Sequence, residues 1–205
     1  MRHMRRTEGF TMLEILIVVA LIAVMTAMAA PRFVAFQRRQ DARDMVQRVA
    51  GILGDTRAEA IRKGNNQFLL FDIPGVGRVR WVDDVNNDWQ LSPGETSRDI
   101  DLTRNLSPTV SRYGAVVGPP PAAGVPEEGA LPPGGISFPI DPATAAPAVG
   151  FTSRGLPVSI PAGALLVPAG SYYVTDNISQ VYAATLLPLG GMRVRGFRPA
   201  SNDWY

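Results

Sequence analysis

Gly9-Phe10-Thr11-Met12-Leu13-Glu14 opens an apolar run that continues to Ala30, and Glu14 is the residue in it that demands an explanation. Between Phe10 and Ala30 only Thr11, Glu14 and Thr26 are polar. As a helix these 21 residues span about 31 Å, enough to cross a bilayer core of about 30 Å. A carboxylate inside such a segment is costly, and intramembrane ionisable groups generally have a partner and a purpose. Met1 to Gly9, ahead of the run, carries Arg2, Arg5 and Arg6 against Glu8, so the positive-inside rule keeps it cytoplasmic. A secretory signal peptide would place small residues and a cleavage site after its apolar run, and Ala27-Met28-Ala29-Ala30 mimics one. Here the small residue, Gly9, lies before the run instead. Twin-arginine export fits poorly, because Arg5-Arg6 is followed by Thr7-Glu8 and no apolar pair.

Arg5-Arg6-Thr7-Glu8-Gly9-Phe10-Thr11-Met12-Leu13-Glu14 followed by an apolar helix resembles the class III leader of type IV pilins and of the pseudopilins of type II secretion. The resemblance implies that a membrane-embedded prepilin peptidase cuts between Gly9 and Phe10 and methylates the new amino terminus of Phe10. It implies that Glu14 is the assembly residue. Two charges about 4 Å apart attract weakly in water and many times more strongly in a low-dielectric membrane. Desolvation offsets much of that attraction, so such a pair acts chiefly on register and specificity. Glu14 of one subunit is therefore expected to neutralise the Phe10 amine of its neighbour as the subunit leaves the bilayer.

The 205-residue chain has 20 Lys+Arg, 18 Asp+Glu and no cysteine. That length holds one long anchor plus one domain of moderate size. The leader carries three of the basic residues and one acid, which leaves the rest of the chain with 17 of each. The basic balance is thus a property of the leader and not a nucleic-acid signal. Without cysteine there is neither a disulfide nor thiol chemistry. Pro31 follows the apolar run and is expected to kink the helix. From Phe33 to Lys63, Ala42, Met45, Val46, Val49, Ile52, Leu53, Ala60 and Ile61 recur at helical spacing, with charges on the opposite face. Asp44→Arg48 and Glu59→Lys63 are favourable i,i+4 pairs, and Gly64-Asn65-Asn66 is a stop. A helix from Phe10 to Lys63 would be roughly 80 Å long. The expected divisions are a leader over 1–9, a transmembrane helix half over 10–31, an amphipathic half over 32–64, and a β domain over 65–205.

Strand formers cluster at Gln67–Ile73, Val76–Val82, Gly135–Phe138, Val149–Thr152, Ser171–Thr175, Gln180–Leu187 and Met192–Phe197. Pro74-Gly75 and Asp176-Asn177 read as turns between neighbouring strands. The Pro/Gly-rich stretch over about 107–135 reads as a long surface loop. The expected fold class is α+β and pilin-like: a long amino-terminal helix packed on an antiparallel β-sheet. Three features resemble the GspH/FimT branch of minor pseudopilins: the Asp/Asn-rich turn after Trp81-Val82, Phe151-Thr152-Ser153-Arg154-Gly155, and Leu187-Pro188-Leu189-Gly190-Gly191-Met192-Arg193-Val194-Arg195. The loop over 107–135 departs from compact members of that branch.

Two further clusters carry chemistry. Asp84, Asn86, Asp88, Gln90 and Glu95 fall at alternating positions and at position 12 of a calcium-loop spacing. Position 6, where the sharp turn prefers glycine, is Trp89, so the competing reading is a hairpin turn whose Asp and Asn side chains bond the local backbone. Arg193, Arg195 and Arg198 form a late basic cluster, with Arg193 and Arg195 on one strand face. DNA-uptake members of the FimT type carry a Gly-Arg-x-Arg motif near here, which Met192 interrupts. Its competing reading is a solvated strand face. An enzyme is not expected, because His3 is the single histidine and no base accompanies the serines. The resemblance implies a structural subunit stored in the bacterial inner membrane, with its carboxy-terminal domain in the periplasm. It would join the tip or initiation complex of a pilus or pseudopilus with other minor pilins, the major pilin and the prepilin peptidase as partners. The competing class is a DNA-binding or adhesive module.

Overall fold

The computed structural model describes residues 10–73, 77–106, 111–112, 124–129, 132, 134–160, 163–165, 170–178, 180–198 and 201–205. The leader with Gly9, the expected turn at Pro74-Gly75 and much of the loop over 107–135 lie outside them. The chain divides into two compact units, Met1–Gln37 and Arg38–Tyr205.

Helix α1 runs over Met12–Lys63. Within the first unit its residues from Met12 to Val34 are exposed. It is long and apolar enough there to cross a membrane. Pro31 lies inside α1, and the helix continues beyond it. Thr11 caps the start: its Oγ1 accepts the Glu14 backbone N–H at 3.2 Å, the Thr-x-x-Glu spacing of a capping box.

In the second unit α1 buries Ala42, Met45, Val46, Val49, Leu53, Thr56 and Ala60, a stripe at spacings of three and four. Ile61, expected on this stripe, is exposed, and Ile52 is half-buried. Thr56 takes a core position in their place, because its hydroxyl is satisfied by the Ile52 carbonyl at 2.7 Å. Of the two expected ion pairs, Glu59–Lys63 forms at 3.3 Å. Arg48 instead donates to the carbonyls of Leu102 and Arg104.

The strands among the described residues are β1 Asn66–Phe71, β2 Arg78–Asp84, β3 Thr96–Asp101, β4 Ser111–Arg112, β5 Ile140–Asp141, β6 Ala146–Phe151, β7 Pro157–Val158, β8 Gly170–Thr175, β9 Val181–Leu186, β10 Met192–Arg198 and β11 Asp203–Trp204. They form two antiparallel sheets. One has the order β3-β2-β1-β6-β5 with β7 also on β6, and the other β11-β10-β9-β8-β4. The α+β, pilin-like architecture expected from the sequence is therefore present. One strand expectation fails. Gly135–Phe138 is not a strand and contributes only a bridge from Ile136 to Tyr172. Conversely β3, whose sequence TSRDID lacks strand formers apart from Thr and Ile, is recruited by pairing with β2 and by the Arg80–Asp99 ion pair across it.

The main core joins the α1 stripe to Leu69, Phe71, Val149 and Phe151 of one sheet and to Tyr172, Val174, Ala184 and Leu186 of the other. Phe71 stacks on Phe138 at 5.1 Å between centroids. Both sheets are covered on their far faces as well, which explains why β8 is buried at every position and β1 at all but its first. Phe68, Leu70, Val82 and Ala148 pack with Ile160 and Trp89. Tyr173, Val181, Ala183, Phe197 and Trp204 pack with Val125.

Candidate functional site

At the amino-terminal site, α1 begins at Met12, so Glu14 falls in the first helical turn, where a carboxylate is favoured by the helix dipole. Its side chain is exposed, as is Phe10, at 78%. Among the described residues the Glu14 carboxylate makes no hydrogen bond or ion pair. Gly9 lies outside the described residues. The sequence reading missed the Thr11 cap, although Thr11-x-x-Glu14 is its local signal.

The acidic loop connects β2 to β3. Carboxylate oxygens of Asp84, Asp88 and Glu95 lie within 4.8 Å of one another, close enough to share a cation. Asp84 is fully buried and accepts the backbone N–H groups of Asp88 and Trp89 at 3.1 and 3.0 Å. Asp88 accepts from the Gln90 N–H and from Asn86 and Ser92 side chains. Glu95 Oε2 accepts the Ser92 N–H at 2.9 Å, and its buried Oε1 has no hydrogen bond. The hairpin-turn reading thus accounts for Asp84, Asn86 and Asp88. Trp89 adopts the left-handed conformation with φ 59°, which glycine would take without cost. Its ring occupies the space that a side chain at Gly150 would need.

The basic cluster is internally compensated. Arg193 and Arg195 lie on one face of β10, as expected, but both donate to the same oxygen, Glu127 Oε1, at 3.0 and 2.6 Å. Burial alone would raise the Glu127 carboxyl; the bonds from the two arginines outweigh it and hold it below the ordinary range. Arg198 is exposed and lies over the Tyr205 ring at 4.3 Å. Glu127 belongs to a strap over 124–129 that lies on the outer face of the second sheet. Val125 is buried there and donates its N–H to the Tyr173 hydroxyl, which in turn donates to Glu128. No local pattern in the sequence signals a pair separated by 68 positions.

The motifs over 151–155 and 187–195 meet at Arg57. Its Nε donates to the Gly155 carbonyl at 2.9 Å and its Nη1 to the Gly190 carbonyl at 3.1 Å. Gly155 and Gly190 both have positive φ, 75° and 80°. A Cβ at Gly155 would lie 2.6 Å from Ile61 Cδ1, and one at Gly190 would lie 2.8 Å from Arg57 Nε. Only glycine meets both demands.

A polar network closes the helix end. Lys63 and Asp83 pair at 2.5 Å, and Asp83 also accepts from Asn65 and Gln67. Gln67 accepts from the Trp81 indole at 2.8 Å. Burial pushes the Asp83 carboxyl up, yet these three donors bring it below the ordinary range.

Residues 4–30 match the family model of the prokaryotic N-terminal methylation motif. The matched segment contains Gly9, Phe10 and Glu14 and supports a type IV pilin-like protein, a structural subunit. The motif implies assembly with other pilins and processing by a prepilin peptidase. Together with the membrane-capable helix it fits an anchor in the inner membrane. No curated protein and no solved structure matches the chain.

Proposed function

We propose that this chain is a minor pilin or pseudopilin, incorporated at the tip or initiation complex of a type IV pilus or a type II secretion pseudopilus. One observation carries the reading: the methylation motif over 4–30 runs directly into a 52-residue helix whose first turn holds Glu14. In this reading the peptidase cuts after Gly9 and methylates Phe10, and residues 10–31 span the membrane. The β domain from 65 onward lies in the periplasm until extraction into the filament. Glu14 neutralises the Phe10 amine of the adjacent subunit, a pairing of the kind that makes an intramembrane acid tolerable. The convergence of the 151–155 and 187–195 motifs on Arg57 supports the minor-pseudopilin assignment, because the residues carrying that resemblance form one structural unit.

The alternative, a DNA-receiving or adhesive subunit using Arg193, Arg195 and Arg198, draws little support from a cluster in which Glu127 serves two of the three arginines. Phosphate contacts need several uncompensated basic groups.

The test replaces Glu14. Glu14→Ala and Glu14→Leu are expected to leave membrane insertion and leader cleavage unchanged while abolishing recovery in sheared filaments. Wild-type amounts of either variant in the filament fraction would overturn the assembly role.

A further inference from the structure

The last turn of α1 and the outer strands of the first sheet enclose a groove of about 380 Å³, bordered by Glu59, Lys63, Trp81, Asp83, Thr96 and Arg98. Its charges are unequally used. Lys63 is committed to Asp83 and Glu59. Arg98, by contrast, lies over the Trp81 ring at 4.5 Å. Among the described residues it makes no hydrogen bond or ion pair. A guanidinium over an indole face is held in place while its donors stay available, a geometry suited to a carboxylate.

Arg98 stands on β3, which ends its sheet among the described residues. An end strand turns half of its N–H and C=O groups away from its neighbour, ready to pair with another strand. The register places Arg98 opposite Trp81 and Ile100 opposite Val79, on the face that meets α1. On the other face Asp99 is held by Arg80 through bonds of 2.7 and 3.0 Å. The unmet demand is therefore for a negative charge, and only on the groove side. A second β3 in antiparallel register would bring Thr96, Arg98 and Ile100 to that side and no acid.

We propose that this groove is a docking site for an extended acidic segment of a different filament subunit, which adds a strand to β3 and places a carboxylate on Arg98. The identity of the partner as a subunit rests on the pilin-like reading; the chemistry of the groove does not.

The test uses the full-length chain in detergent and a fluorescein-labelled peptide of eight residues alternating Glu and Thr. Anisotropy is expected to show binding, weakened about tenfold or more by Arg98→Gln, the loss of one charge-assisted contact. Arg98→Lys should be intermediate, and Arg154→Gln, on an exposed loop elsewhere, should bind like wild type. Hydrogen exchange should slow at β3 amides when the peptide is bound. The proposal is overturned by wild-type binding in Arg98→Gln, by equal binding of an alternating Lys/Thr peptide, or by protection that avoids β3. Displacement by millimolar inorganic phosphate with no β3 protection would reduce the groove to a simple anion site and also overturn it. Arg98 is exposed, so the variants are expected to fold, which circular dichroism checks. Failure here leaves the Glu14 assembly test untouched, and failure of that test leaves peptide binding measurable.

Discussion

Trp89 shows how a single residue can contradict a local pattern and still be required. Its φ of 59° costs an L-residue roughly 1–2 kcal/mol. The ring returns this by packing with Phe68, Leu70, Val82, Ala148 and Ile160 on the far face of the first sheet. The sequence spacing had already marked the position as one where glycine belongs, but it could not show that the indole is a lid for Gly150. Trp89→Ala keeps the backbone strain and removes the lid. It should destabilise the second unit by about 2–3 kcal/mol, less than for a fully buried aromatic, measured by urea unfolding. An unchanged midpoint would mean that the ring anchors nothing.

Between elements, the junction of α1 with β2 gathers Glu59, Arg62, Lys63 and Asp83 into one set of ion pairs. Hydrogen bonds from Arg62, with a smaller contribution from Lys63, outweigh desolvation and hold the Glu59 carboxyl down from 4.5 to about 2. Asp83 is lowered too, its burial outweighed by Lys63, Gln67 and Asn65. A carboxyl depressed by folding stabilises above its unfolded value and loses that contribution as pH falls through the folded one. Lys63 is raised, chiefly by Asp83, so its contribution is intact in the acid range and fades only in strong alkali. The melting temperature is therefore expected to fall as pH drops from 4.5 toward 2. Lys63→Met should start lower at neutral pH and fall less over the same window. Parallel curves for the two proteins would remove this junction as the acid-sensitive element. Little of it was legible beforehand: Glu59→Lys63 follows from helical spacing, whereas Lys63–Asp83 requires knowing that β2 returns beside the helix end. The recruitment of β3 was hidden for the same reason, since its partners are cross-strand charges.

For the molecule as a whole, the methylation motif and the membrane-capable helix were legible in the sequence, because charge, motif spacing and apolar length are all local. The helix stripe was legible through its period of 3.6, and most strands through their clusters of strand-forming residues. What stayed hidden is long-range: Glu127 between Arg193 and Arg195, Arg57 between Gly155 and Gly190, and Val125 on Tyr173. The main core draws on α1 only from Ala42 onward, and the second unit begins at Arg38. A chain spanning 38–205 is accordingly expected to fold by itself, giving one cooperative urea transition and a monomeric sizing profile without detergent. A molten or aggregated product would show that the preceding helical residues contribute to folding.

The Thr11 cap has an electrostatic consequence for the proposed mature subunit. Cleavage after Gly9 would leave the new amine just before the cap, at the pole where the backbone dipoles of α1 already sum to about half a positive charge. The first N–H groups of a helix have no acceptors within it, and the Thr11 hydroxyl serves that of Glu14. In the proposed subunit the new amine and the open donors would share that end of the helix with its own Glu14. An acid arriving along the axis from an adjacent subunit would meet both at once, so the end created by processing would become the place that seats the next subunit.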